Sequence, residues 1–197
     1  LILSQYNIIL KRLEIQDIET VRHWRNDDSI RLTMFYQQLI SEEMQKQWFE
    51  SINNVHHHYF LIFYKNEAIG LTHVSHLDFN KKTGEVGLFV YDKRYINTDV
   101  PARASLCLLN YFLENEYVKS LYAKVKISNQ EALAYNQMLG FNIVKNTEDG
   151  GYLLCVTKKE YEIKVHRIKQ WLKRSELQVT YIPNFSIDEE WQNIYSK

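Results

Sequence analysis

Hydrophobic positions change period several times along the chain, and those changes divide it into elements. Residues 8–15 form a β-branched, partly alternating run that predicts a first strand. Residues 1–10 are short and mixed with polar positions, so they read as the opening of that strand and not as a secretory signal. Ile18, Val21 and Trp24 then recur at helical spacing behind Asp17, a residue type that caps helices. That helix closes in the polar run Arg25-Asn26-Asp27, and residues 31–39 follow with Met34-Phe35-Tyr36 at their middle. Ser41-Glu42-Glu43 opens a second helix with acid in its first turn, and Met44, Trp48 and Ile52 continue one face. Residues 58–64 and 68–74 predict strands joined across Lys65-Asn66-Glu67, with residues 85–91 as the next partner. Pro101 fits the first turn of a helix whose apolar stripe is Leu106, Leu109, Phe112 and Leu113. Residues 118–125 read as another strand, and Ser128 with Glu131 has the spacing of a capping box. Residues 141–144 and 152–156 make a closing strand pair around Asp149-Gly150-Gly151.

This order predicts an α/β fold of mixed α+β character, with a mixed, mostly antiparallel sheet and helices on both faces. Residues 1–158 make the domain and residues 159–197 a helical extension. In the extension Ile163, Ile168 and Leu172 lie among Lys164, Arg167, Lys169, Lys173 and Arg174, before an acidic stretch from Asn184 to Trp191. It packs on its own core or on the mate in a homodimer, or it contacts a substrate or partner.

Composition removes several alternatives. Lys+Arg and Asp+Glu both count 24, so no net charge points to nucleic acid or to an anionic membrane surface. No apolar run approaches a membrane span, and 2 prolines and 6 glycines leave little for disordered linkers. Cys107 and Cys155 sit far apart in apolar segments without metal-type spacing, which reads as two buried thiols in a reduced, cytoplasmic compartment. His56-His57-His58 has the composition of a metal tract but sits at the mouth of a strand, where polar loop is the simpler reading, and no metal is expected.

The chemistry concentrates in residues 84–141. Asn129, Ala132 and Leu139-Gly140-Phe141 stand at the asparagine-to-glycine-phenylalanine spacing of one helix in the GNAT superfamily of acyl-CoA-dependent N-acyltransferases, which the chain resembles over residues 8–157. Trp24-Arg25-Asn26, Ile30-Arg31, Met34 and Ser41-Glu42-Glu43 are similar to the branch holding ribosomal-protein and UDP-amino-sugar (pseudaminic acid pathway) N-acetyltransferases. Met34-Phe35-Tyr36, Tyr59-Phe60 and Leu77-Asp78-Phe79 lean toward the amino-sugar enzymes. The resemblance implies a sheet splayed between the fourth and fifth predicted strands and acetyl-CoA as co-substrate. The acceptor it implies is a primary amine, on a nucleotide-linked amino sugar or, alternatively, on a protein N-terminus or small amine.

Carried over residue by residue, the resemblance puts backbone N–H groups of Phe89, Val90 and Tyr91 on the thioester and pantetheine. Arg94, Asn97 and Thr98 fall to the pyrophosphate, and Asn129 to the pantetheine. Met34, Phe35, Tyr36 and His73 line the acceptor cleft, although a hydrophobic loop folded on the sheet has the same composition. Glu85 is the base or a water-holding group, and equally a solvated strand-end carboxylate. The family's leaving-group tyrosine falls at Asn136, with Tyr135 one residue early as a displaced acid or a core aromatic. Asn97 and Asp99 also stand where relatives have glycines, which puts a carboxylate beside the expected phosphates; Lys93, Arg94 and Arg103 are placed to offset it. These two departures leave open a third reading, a GNAT-fold binding module without acetyl transfer.

Overall fold

The computed structural model describes residues 1–172, 176–180 and 186–195. Lys173, Arg174 and Asn184, which the pattern put in the extension, lie outside the described residues. The chain opens with a hairpin, β1 (Ile2–Gln5) and β2 (Ile8–Arg12), in place of the single strand expected over residues 8–15. Tyr6 and Asn7 at its turn both have positive φ (54° and 61°), as a two-residue hairpin turn demands. β2 stops at Arg12 because the chain turns into a short 3-10 segment, Ile15–Asp17, before α1 (Ile18–Asn26). Asp17 is not the side-chain cap of α1: its carboxylate accepts the Glu14 N–H at 3.1 Å, closing the shorter turn.

α2 (Asp28–Arg31) is capped by the Asp27 side chain, and α3 (Glu42–Ile52) by Ser41, whose hydroxyl accepts from the Met44 N–H. The buried stripe of α3 is Gln45, Phe49 and Ile52, one position away from the expected Met44 and Trp48. β3 (His58–Tyr64), β4 (Glu67–Asp78) and β5 (Thr83–Val90) form the antiparallel meander. α4 (Val100–Leu109) continues through a wider turn, Asn110–Glu114, into β6 (Ser120–Lys126). Then come α5 (Gln130–Met138), β7 (Asn142–Thr147), β8 (Gly151–Thr157), α6 (Lys158–Trp171), β9 (Gln178–Thr180) and α7 (Ser186–Tyr195).

The strands make one nine-stranded sheet in the order β7-β8-β6-β5-β4-β3-β2-β1-β9, and among the described residues β5 with β6 is its parallel pair. Strand alternation distributes side chains to two cores. On β3, Phe60 and Ile62 enter the larger core with α4 and α6, while Leu61 joins Leu13, Val21, Trp24 and Phe49 under α1 and α3. No helix among the described residues is long and apolar enough to cross a membrane.

His58 is not the polar loop residue its neighbours imply. It is fully buried, with Phe112 and Trp191 set edge-on at 5.7 and 4.3 Å between ring centres. Burial, with Arg12 adding to it, drives its pKa well below the ordinary imidazole range. Arg12 has only donors, so His58 Nδ1, 2.7 Å away, is the acceptor and Nε2–H donates to the Val55 carbonyl at 3.1 Å. Trp191 of α7 fills the rest of this pocket, and its indole N–H donates to the Tyr111 hydroxyl at 2.9 Å. Cys107 is buried, its thiol pushed up to about 12 by burial, but Cys155 is half-buried, because β8 lies near the sheet edge; both are free. Truncating Trp191→Ala is expected to cost about 3–5 kcal/mol by urea denaturation, and an unchanged midpoint would mean that α7 does not complete this core.

Candidate functional site

The site begins with an interrupted ladder. β5 and β6 pair over Thr83↔Ser120 to Val86↔Ala123 and then separate, leaving residues 87–90 of β5 without a partner on that side. The Tyr91 N–H donates to the Ile69 carbonyl at 2.8 Å, so alternation directs Phe89 and Gly87 to β4 as well. Leu88 and Val90 therefore present their N–H and C=O groups to the gap. This corrects the expectation that Phe89 and Tyr91 offer theirs.

A cleft of about 680 Å³ opens from this gap. On one side it is bounded by Ser105 of α4 and by Asn129, Ala132, Tyr135 and Asn136 at α5. On the other it runs under α1 and α3, where Arg25, Gln45 and Trp48 face Tyr59, His73 and Glu85 on the sheet. Residues 33–40 close it from above. Phe35 lies under the Lys124 ammonium, 4.6 Å from the ring centre, and is so close to Gly151 that a Cβ there would approach its Cζ to 2.7 Å. Lys126 Nζ donates to the Leu32 carbonyl at 3.4 Å, a second tie between this loop and β6.

Across the floor runs a row set by register: Tyr59 opposite His73, and His73 opposite Gly87. The Tyr59 and His73 rings stack at 4.6 Å, and Trp48 meets Tyr59 edge-on at 5.1 Å. His73 leans over Gly87 so closely that a Cβ at Gly87 would lie 2.4 Å from His73 Cε1. Burial, aided by neighbouring positive groups, lowers His73 to about 3, so the ring is neutral and apolar-facing at physiological pH. Glu85 shares the floor's face, two residues before Gly87, and its carboxylate lies 3.9 Å from His76 Nδ1.

The family model described as the acetyltransferase (GNAT) domain matches residues 7–142. The chain belongs to the GNAT acetyltransferase family. Solved structures with the same fold include the nucleotide-linked sugar GNAT FdhC, at 16% identity and TM-score 0.72, covering 88% of this chain and 99% of its own. Spermidine N-acetyltransferase from Vibrio cholerae, solved with CoA and spermine, matches at 14% identity and TM-score 0.71 over 79% of this chain and 98% of its own. The ribosomal L7/L12 N-acetyltransferase RimL, solved with coenzyme A, matches at 12% and 0.65, over 77% and 94%. No curated protein matches the chain.

Within this GNAT fold, Met34, Phe35, Tyr36, His73, Glu85, Phe89, Asn129, Tyr135 and Asn136 all border the one cleft, whereas Val90, Tyr91, Arg94, Asn97 and Thr98 do not. Tyr91 stacks on Trp24 at 5.6 Å in the smaller core. Arg94 is exposed and held by Asp92 and Glu67, which raise its pKa further. Asp99 pairs with Arg103 one helical turn on, so the carboxylate in the expected phosphate loop is neutralised by the first turn of α4. Thr98 Oγ1 accepts the Val100 N–H at 3.2 Å at the start of α4.

α5 starts one residue later than a Ser128 capping box requires, because the Asn129 side chain accepts the Ala132 N–H at 3.0 Å and is itself the cap. Tyr135 donates its hydroxyl proton to the Pro101 carbonyl at 2.9 Å and meets Ser105 Oγ at 2.7 Å, tying α5 to α4. Burial raises this phenol above its ordinary range, against the Ser105 hydrogen bond. Asn136 donates one amide N–H to the Ala132 carbonyl at 2.8 Å.

The pattern along the chain assigned no role in the cleft to Arg25, Gln45 or Gly87, although Arg25 stands in the Trp24-Arg25-Asn26 run. Gln45 carried a signal, a polar residue in phase with Phe49 and Ile52, and Gly87 was a glycine inside a strand. Tyr135→Phe is expected to cost about 1–3 kcal/mol in a denaturant titration by leaving the Pro101 carbonyl unpaired; no loss would mean the clamp contributes nothing. His58 and His73 both have folded pKa values below the unfolded 6.5, so the unfolded chain binds more protons as pH falls through that value. Stability should therefore drop as pH falls below 6.5, the His73 contribution continuing to about 3. In His73→Gln this slope should be smaller, and an equal slope would count against a neutral buried ring.

Proposed function

We propose that the chain transfers acetyl from acetyl-CoA to the primary amine of a nucleotide-linked amino sugar. The observation that carries this reading is the continuity of the cleft. It runs from the splayed strand pair, where an extended pantetheine chain pairs with the backbone of Leu88, to an aromatic chamber under Phe35 and Trp48. The likeness to the sugar GNAT, which spans 88% of this chain, supports the same acceptor class.

The amine attacks the thioester carbonyl once neutral, the C–N bond forms, the C–S bond breaks, and the nitrogen gives up one proton. A backbone N–H at the splay stabilises the developing oxyanion. Glu85, on the floor beside the chamber, takes the amine proton directly or through water. Tyr135 already donates to Pro101, so the thiolate is served by the second amide N–H of Asn136 and by water. Because Arg94 is engaged by Asp92 and Glu67, the pyrophosphate must compete for it or rely on backbone and Thr98. That competition favours one alternative reading, a GNAT-fold module that no longer holds the cofactor.

Acetyl-CoA titrated calorimetrically should bind saturably, and no heat at high micromolar ligand would select the module. With acetyl-CoA and a panel of UDP-linked amino sugars, free thiol should appear, and Glu85→Gln should lower kcat by about a hundredfold. Turnover of small amines or peptides but not of sugar nucleotides would shift the acceptor assignment.

A further inference from the structure

Two polar side chains in the acceptor half of the cleft lack partners. Arg25 projects from α1 and Gln45 from α3, and both border the cleft. Gln45 is 2% exposed, and its Nε2 is sealed from solvent without a hydrogen-bond partner among the described residues. The Arg25 Nε is sealed in the same way, and no carboxylate pairs with the guanidinium among the described residues. Glu85, the acid on the same floor, has His76 as its nearest ionic partner. The far wall adds Lys124, paired with Asp149, and Lys126, hydrogen-bonded to the Leu32 carbonyl.

Buried donors left unmade are costly, and a guanidinium has donors alone. What completes them is therefore an acceptor atom, and with an uncompensated cation present it is an oxyanion. Gln45 is not there for packing: Phe49 and Ile52, at the next positions of its own stripe, are apolar, and an amide in their phase weakens the core.

We propose that Arg25 and Gln45 together seat an oxyanion group of the acceptor, a phosphate or a carboxylate, beside the aromatic chamber. The proposal rests on the cleft being the acceptor site of an acetyl transfer. It makes the acceptor an anionic amine and disfavours polyamines, whose charges Arg25 would repel.

The test is a titration of the full chain, saturated with CoA, against UDP, inorganic pyrophosphate, glutamate and spermidine. At least one anion should bind. Arg25→Gln and Gln45→Glu should each weaken that binding by about tenfold or more, with CoA affinity unchanged. Gln45→Leu guards against misfolding as an explanation: it should raise the melting temperature while also weakening the anion, since it removes the unpaired amide. UDP binding that is indifferent to both residues overturns the seat and leaves the nucleotide-sugar reading standing. Binding of pyrophosphate or glutamate that depends on both residues, with UDP no tighter, supports the seat and removes the nucleotide. Spermidine binding tighter than every anion, or no anion binding at all, overturns the proposal.

Discussion

The structure depends on a parallel strand pair that is allowed to fail. β5 and β6 hold each other from Thr83 to Val86 and then diverge, although each remains paired to an antiparallel neighbour on its other side. Those outer ladders keep both strands rigid where the inner one ends. Unpaired backbone groups in a protein interior are costly, so a gap of this kind persists when the rest of the sheet over-determines it and a ligand can complete it. Everything around the gap is arranged to keep it open. Tyr135 ties α5 to the start of α4, and the loop over residues 33–40 crosses from α1 to β6 without filling the space beneath it.

Charge is distributed unevenly between the two ends of the cleft. At the end of β5, two arginines are matched: Arg94 with Asp92 and Glu67, Arg103 with Asp99. Under α1 and α3, the opposite holds, with a desolvated guanidinium and a buried amide left without protein partners among the described residues. Pairing Arg94 and Arg103 while leaving the half-buried Arg25 without a carboxylate among the described residues places the unmet electrostatic demand under α1 and α3. The neutral His73 beneath the chamber is consistent with this, since a protonated ring there would add a second uncompensated charge.

Much of the architecture was legible from the sequence for local reasons. The two-residue turn at Lys65 and Asn66, both at positive φ, joins β3 to β4 where the pattern put a hairpin. Ser41 caps α3 as its residue type and position imply. The errors were also local. Asp17 and Ser128 are competent caps, yet Glu14 and Asn129 define the actual turns, because one hydrogen bond decides between adjacent candidates of nearly equal propensity. His58 read as polar loop because a histidine triplet carries no record of the aromatic rings that enclose it, two of them from residues far along the chain.

What the sequence determined by itself was the type of most elements along the chain, and that the family's motif spacing falls between Gly84 and Phe141, since hydrophobic period and motif spacing are properties of contiguous residues. The tertiary structure decided which groups meet. Register, set by the Tyr91 to Ile69 hydrogen bond, turned Leu88 and Val90 toward the gap and not Phe89 and Tyr91. The packing of α1 against α3 put Arg25 and Gln45 on one cavity wall, and the sheet order put His73 over Gly87. These are pairings between segments distant along the chain, each worth little alone, and they exist because the whole sheet fixes them at once.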